Sequence, residues 1–474
     1  MKARLLARLD ELRSSYWFIP SLMVVAAMAL AFGVTYADGR LGADWIEEIS
    51  WLYAFRPDGA RAFLSTIAGS MIGVAGVTFS VTIASVVYAS GQYGPRLLTN
   101  FMSDRGNQIT LGTFIATFLY SLLILSTIRS EGETGGENPA DGIAGAFVPH
   151  IGVFVALLLA LACIAMLIYF IHHTPESIHV SNVIAGIGRG LRRKVSTLFP
   201  ERIGEGVPGE EAREADEIVT EMPDGFYDEA VAVRADGSGY VQGIDTEAVL
   251  ALATDGDLVI RIRHCPGDFV SEGDPLVLAW PRENVTDDLS TRLRVTFAWG
   301  TTRTPMQDVR FLVNELVEIS ARALSPGVND PFTAISCLDW LSATLKWLAE
   351  REFPSPDRYD THGKLRVVAE PTTFSEFVTG VYGQLRPYLA ADRNAALHAL
   401  KTIGEIAGRT DRQNRRDALR HEADAILDGA RHALPIEADR ATVEERHEVV
   451  LRLLAGYEDI ESYTSRVRWI GGTA

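Results

Sequence analysis

The chain has 474 residues, 47 % of them hydrophobic, and a formal net charge of −17. Its mean hydropathy of +0.09 is high for a water-soluble protein, and the excess lies ahead of residue 176. So acidic a chain argues against nucleic acid as a partner, because phosphates would be repelled. Three widely spaced cysteines, Cys163, Cys265 and Cys337, with no CxxC pair, predict reduced thiols rather than disulfides.

In chain order, a basic segment with Lys2, Arg4, Arg8 and Arg13 precedes an uncharged run at 17–36. That run is long for a signal-peptide core and no small-x-small site closes it, so it predicts a retained first span. Residues 62–90 predict the second span. Their small residues Ser65, Gly69, Gly73, Gly76 and Ser80 fall on one helix face, where another helix can approach closely. On the opposite face Thr78, Thr82 and Ser85 offer hydroxyls, either to their own helix carbonyls or to an aqueous path. The polar loop that follows, with Gln92, Arg96, Asn100 and Arg105, is either a tight elbow or a gate and docking surface.

Residues 107–128 and 148–171 predict the third and fourth spans. Positive charge alternates from loop to loop, at the N-terminus, at Arg96 and Arg105, and at Arg189, Arg192, Arg193 and Lys194. Four spans with both termini in the cytoplasm satisfy the positive-inside rule. No ionisable group stands mid-span, which disfavours a carboxylate proton relay.

Thr174 and Pro175 read as the start of a new helix, running through 181–195 along the membrane surface with its arginines at lipid phosphates. His172, Glu176 and His179 have metal-ligand spacing only on an unbroken helix, which Pro175 argues against. An acidic linker follows, with eleven acids against two arginines in residues 201–229.

Residues 236–300 read as a small β-rich domain, with strand-like runs at 239–244, 257–264, 275–280 and 292–299. Pro266-Gly267-Asp268-Phe269-Val270 through Gly273-Asp274-Pro275-Leu276 resembles the hairpin of small β-domains related to biotinyl and lipoyl carriers. A carrier needs a lysine there, and none occurs between Lys194 and Lys346. After Pro305 the pattern is helical, at 306–324, 331–350, 374–390, 392–408, 411–433 and 441–456. Asp308, Glu315 and Glu318 recur on one face of the first of these, and Asn329 and Asp330 sit in a helix-capping turn. The five are candidates for a ligand or ion site, against the plainer reading of salt bridges and a cap. No P-loop, nucleophile-elbow, zinc-protease, kinase or dinucleotide signature is present.

The stretch SGQYGPRLLTNFMSDRGNQ at 90–108 and the run 307–334, ending ALSPGVNDPFTA, are similar to a family of predicted bacterial membrane proteins, domain of unknown function 2254. The resemblance implies a bacterial inner-membrane location and the same order of parts, and brings no activity. The expectation is an α+β membrane protein. Its four-helix transmembrane domain (1–175) precedes a membrane-proximal helix and linker (176–235), a cytoplasmic β-domain (236–300) and a helical cytoplasmic domain (301–474). The bilayer and further copies of the chain are its expected partners, and no cofactor, metal or catalytic residue is expected. Two functions stay open: an oligomeric channel gated by the cytoplasmic domain, or a non-enzymatic membrane-anchored sensor or scaffold that binds a cytoplasmic ligand or protein.

Overall fold

The computed structural model describes residues 15–41, 56–94, 104–130, 147–198, 220–457 and 460–466, which divide into two compact units, one within residues 10–179 and one within 180–474.

The N-terminal unit holds four helices, α1 (Phe18–Leu41), α2 (Pro57–Tyr93), α3 (Arg105–Leu125) and α4 (His150–Ile178), each long and apolar enough to cross a membrane. They fall on the four expected spans; α1, α2 and α4 run further toward their C-terminal ends, and α3 ends three residues earlier. Helix α2 starts at Pro57, which suits the first helical position because its missing N–H is unpaired there anyway. At 1.5 Å per residue its 37 residues reach about 55 Å, well beyond a bilayer core of about 30 Å. Helix α4 continues through Pro175 and breaks at His179, which is extended at φ −60 and ψ 126. The expected start at Thr174 and Pro175 is therefore corrected: in the last turn Pro175 frees one carbonyl, that of Ile171, and the helix tolerates it.

Helix α3 is the centre of this unit, packing on α1, α2 and α4. Of its most apolar window 56 % is buried, against 17–22 % in the others. Ala27, Ala31, Leu64, Tyr120 and Ala156 form the main core, and the Tyr120 hydroxyl donates to the Gly152 carbonyl at 3.2 Å. Two end fittings tie the helices. Asp38 accepts from the Ile151 and Gly152 amides at the start of α4, at 3.1 and 3.0 Å. Asp104 caps α3 through the Gly106 amide and pairs with His173 at 2.8 Å.

The C-terminal unit opens with α5 (Val180–Leu198), whose apolar side (Ile184, Ile187, Leu191, Val195) is buried. After α6 (Phe226–Glu229) come β1 (Val231–Arg234), β2 (Gly239–Ile244), α7 (Thr246–Asp255), β3 (Val259–Ile262), β4 (Phe269–Val270), β5 (Pro275–Trp280), α8 (Asp287–Val295) and β6 (Phe297–Gly300). Of the expected strand at 292–299, residues 292–295 are helix and 297–299 are strand. Thr286 caps α8 at the Leu289 amide, with Asp287 and Asp288 in its first turn and Arg292 and Arg294 in its last.

Then follow α9 (Val309–Ala323), α10 (Pro331–Ala349), β7 (Asp357–Tyr359), β8 (Leu365–Val368), α11 (Phe374–Val378), a π-turn (Thr379–Gly383) and α12 (Gln384–Leu389). The unit closes with α13 (Arg393–Ala407), α14 (Gln413–Ala433), α15 (Glu437–Leu454) and α16 (Ile460–Arg466). One sheet has the order β1-β5-β3-β8-β7, with β3 and β8 parallel and the other pairs antiparallel. The other has the order β4-β2-β6. The β-rich region thus extends beyond 236–300, because β7 and β8 return from the helical half and Val367 joins its core.

The helical layer is pinned by a buried cation. Arg415 is 1 % exposed and donates to the carbonyls of Leu348, Ala349 and Arg351 at 3.1, 2.7 and 2.8 Å. Its guanidinium thereby satisfies the open C-terminus of α10 and lies 5.1 Å from the Phe353 and Phe374 ring centres.

Candidate functional site

The C-terminal unit carries a cleft of about 840 Å³ between the 264–269 turn, the start of α9 and the α11–π-turn segment. A second cavity of about 530 Å³ shares Asp268, Arg310, Thr372 and Glu376 with it.

An ion-pair network underlies the shared wall. Asp308 caps α9 by accepting from the Phe311 amide, and it is 2 % exposed. Arg303 donates to its Oδ2 from Nε and Nη2, at 2.9 and 2.6 Å. Arg310, the second residue of α9, donates from Nη2 to the Pro266 carbonyl and to Asp268 Oδ1, at 2.9 and 2.8 Å. Burial works against the Arg310 charge, but the bond to Asp268 and the charges of Asp268 and Asp308 outweigh it and raise its pKa. Gly267 makes the arrangement possible. It sits at φ +96, and a Cβ there would stand 2.2 Å from Asp308 Oδ2.

The opposite wall is polar. Thr373 and Glu376 form a reciprocal capping box at the start of α11, and Thr372, Ser375, Thr379 and Gln384 face the cleft. The π-turn in this wall comes just before Pro387, which cannot donate to the Gly383 carbonyl and crowds it. Such single widened turns recur at functional sites. Cys265 lines the second cavity, and burial, with the Asp268 charge, pushes its thiol up, away from a reactive thiolate. Arg303, Arg310 and Arg261 are paired with Asp308, Asp268 and Glu370, and Glu376 adds one further acid, so the walls carry no excess of cations.

Of the five residues proposed as a ligand or ion site, Asp308 alone belongs to this network, lying beneath the cleft as a cap. Glu315 is 1 % exposed within α9; Glu318 is half-buried and 3.7 Å from Arg322. Asn329 is exposed at φ 51. Asp330 caps α10 through the Thr333 amide and hydroxyl, at 3.2 and 2.6 Å. None of these four lines either cavity. Arg303, Arg310, Asp268 and Glu376 were not singled out from the sequence as site residues. The local signals for them were the PGD turn at 266–268 and the capping box at 373–376.

In the N-terminal unit Ser65, Gly69, Gly73, Gly76 and Ser80 are exposed, and a Cβ on any of the three glycines would meet nothing within 4 Å. Thr78 and Thr82 are 2 % and 1 % exposed, and the Thr82 hydroxyl donates to the Thr78 carbonyl at 2.9 Å; Ser85 is half-buried. The hydroxyl face of α2 is therefore its inner face, and the glycine face its outer one. Gln92 and Arg105 are exposed, while Arg96 and Asn100 lie outside the described residues. His172 stands 3.7 Å from Glu176 on unbroken helix, and no group of three or more His, Cys, Asp or Glu close enough to hold a metal occurs among the described residues.

A family model described as predicted membrane protein, DUF2254, matches residues 13–405. The chain belongs to that family. Among proteins similar to the chain are the uncharacterized proteins Rv1290c of Mycobacterium tuberculosis and Mb1321c of Mycobacterium bovis. Each is 30 % identical over 441 residues, covering 92 % of this chain and 80 % of the relative. No solved structure matches the chain. The family match spans the four helices, both sheets and the cleft residues, so membership carries the membrane-protein character and assigns no activity.

Proposed function

We propose that this protein is a membrane-anchored, non-enzymatic sensor whose C-terminal unit lies in the cytoplasm of a bacterial cell and binds a small polar ligand in the α9–α11 cleft. The observation that carries this reading is the cleft of about 840 Å³ built over the Arg303–Asp308–Arg310–Asp268 network, with a π-turn in its wall. Its size is that of a small-molecule site. Its balanced charges suit a neutral or zwitterionic ligand better than a polyanion. The raised Cys265 thiol offers no activated nucleophile in the neighbouring cavity. The test is thermal unfolding of the full chain in detergent against amino acids, sugars, nucleosides and nucleotides. A ligand that raises the midpoint of the wild type and leaves Arg310→Gln unmoved supports the reading. If no class moves the wild type, or Arg310→Gln responds equally, the cleft is not the site.

One observation favours a second reading, an oligomeric channel. The glycine face of α2 is exposed in a single chain, and small residues let helices from different subunits approach closely. Oligomer size in detergent tests this: Gly73→Leu should dissociate the assembly, and a wild type that is already monomeric rules the channel out.

A further inference from the structure

Away from the cleft, the C-terminal unit carries a groove of about 270 Å³ between α5 and α10. Gly188 creates its floor: a Cβ there would stand 2.3 Å from Trp340 Cε3, so only glycine lets the indole lie against the α5 backbone. Trp347, two turns further along α10, extends this floor, and Arg192, Lys346 and Arg409 supply cationic walls. Two of those cations are already matched, Lys346 by Glu405 and Arg409 by Glu350 at 2.9 Å. Arg192 is not. With Arg189 and Arg193 it forms an exposed arginine face of α5, and none of the three side chains has a hydrogen-bond or ion-pair partner among the described residues. Three uncompensated positive charges on a chain of net charge −17 are a local reversal.

The surroundings of α5 select the partner. Its first residue, Val180, follows Ile178 by two positions, and Ile178 ends a helix long and apolar enough to cross a membrane. At 1.5 Å per residue, Arg189–Arg193 lie within about 20 Å of Val180 along α5. Because Ile184, Ile187, Leu191 and Val195 are buried within the unit, α5 has no apolar face left to insert among acyl chains. What it offers is charge, beside tryptophans of the kind that settle at headgroup level.

We propose that the α5–α10 groove and the Arg189/Arg192/Arg193 face bind the phosphate of an anionic phospholipid headgroup, Arg192 reaching it from the wall and the indoles packing on the glycerol moiety. Native mass spectrometry of the full chain released from detergent tests this with phosphatidylglycerol and phosphatidylcholine as probes. Phosphatidylglycerol should be retained preferentially. Replacing the arginines by Gln should weaken its retention about fivefold each and on the order of a hundredfold for all three, leaving phosphatidylcholine unchanged. If the triple variant does not fold, Arg192→Gln alone should show the fivefold loss. Equal retention of the two lipids, or anionic-lipid binding untouched by these substitutions, overturns the proposal. Displacement by millimolar inorganic phosphate also overturns it, by assigning the site to the free anion.

Discussion

The two units differ in what they turn outward and in the polar side chains they bury. On the N-terminal unit Val77, Val87, Ile164 and Ile168 point outward, while Asn107, Gln108, Thr110, Thr117 and Ser121 of α3 are buried inside. The C-terminal unit buries Val241, Ile260, Leu276 and Phe297 and keeps most charge outside. An apolar solvent gives apolar side chains no reason to associate, so helices meet through small and polar residues instead. Water supplies that reason for the second unit. Arg415 shows the exception in water: a buried cation is retained when a helix C-terminus needs its donors.

The largest effect should come from that residue. Arg415→Met removes the guanidinium donors to the Ala349 and Arg351 carbonyls, while the Leu348 carbonyl keeps the Arg351 amide, and should cost about 3–5 kcal/mol. Near-UV circular dichroism during chemical denaturation should show early loss of the C-terminal unit, while far-UV helicity of the spans persists. Simultaneous collapse of both units would break the comparison.

Gly267→Ala should be next, at about 2–3 kcal/mol, since a Cβ at φ +96 collides with Asp308 as well as straining the backbone. The same measurement reads it, and any ligand of the cleft should bind more weakly.

The contrast between solvents predicts a small effect inside the N-terminal unit. Thr117→Val removes the 3.2 Å contact with Cys163 yet should cost only about 0.6 kcal/mol in SDS-driven unfolding. By comparison, truncating a fully buried leucine of α10, Leu338→Ala, should cost about 2–5 kcal/mol. Equal costs would mean that both units are held together alike.

The smallest effect is one of pH at the β7–β8 hairpin. The Lys364 amide, together with Arg366, lowers the Asp360 pKa to about 2. A lowered folded-state pKa stabilises above the unfolded value of about 4, and that contribution fades as pH falls from about 4 towards 2. Asp360→Asn should flatten this part of the acid-unfolding curve, and an unchanged curve would show that the pairing contributes nothing.

Much of the fold was readable in order along the chain. Uncharged runs gave the four spans, and caps such as Asp330–Pro331 gave the starts of long helices, because both signals are local. The strand at 292–299 misled because its apolar alternation hid the Thr286 cap and the charge order of a short helix. Strands β7 and β8 went unseen because three or four residues carry no periodicity, and β8 owes its place to pairing with a strand about a hundred positions away. The cleft was illegible for the same reason: Asp268, Arg310 and Glu376 meet only once two sheets and a helical layer have closed.

For α2 the sequence by itself determined that glycines and hydroxyls occupy opposite faces, since 3.6 residues per turn fixes which side chains share a side. Only the tertiary structure decided which face turns inward. Helix α3 took the centre of the unit; Thr78 and Thr82 are buried, and Gly69, Gly73 and Gly76 lie outside. Helical periodicity is a property of one segment, whereas the choice of the inner face depends on what the neighbouring helices can pack against.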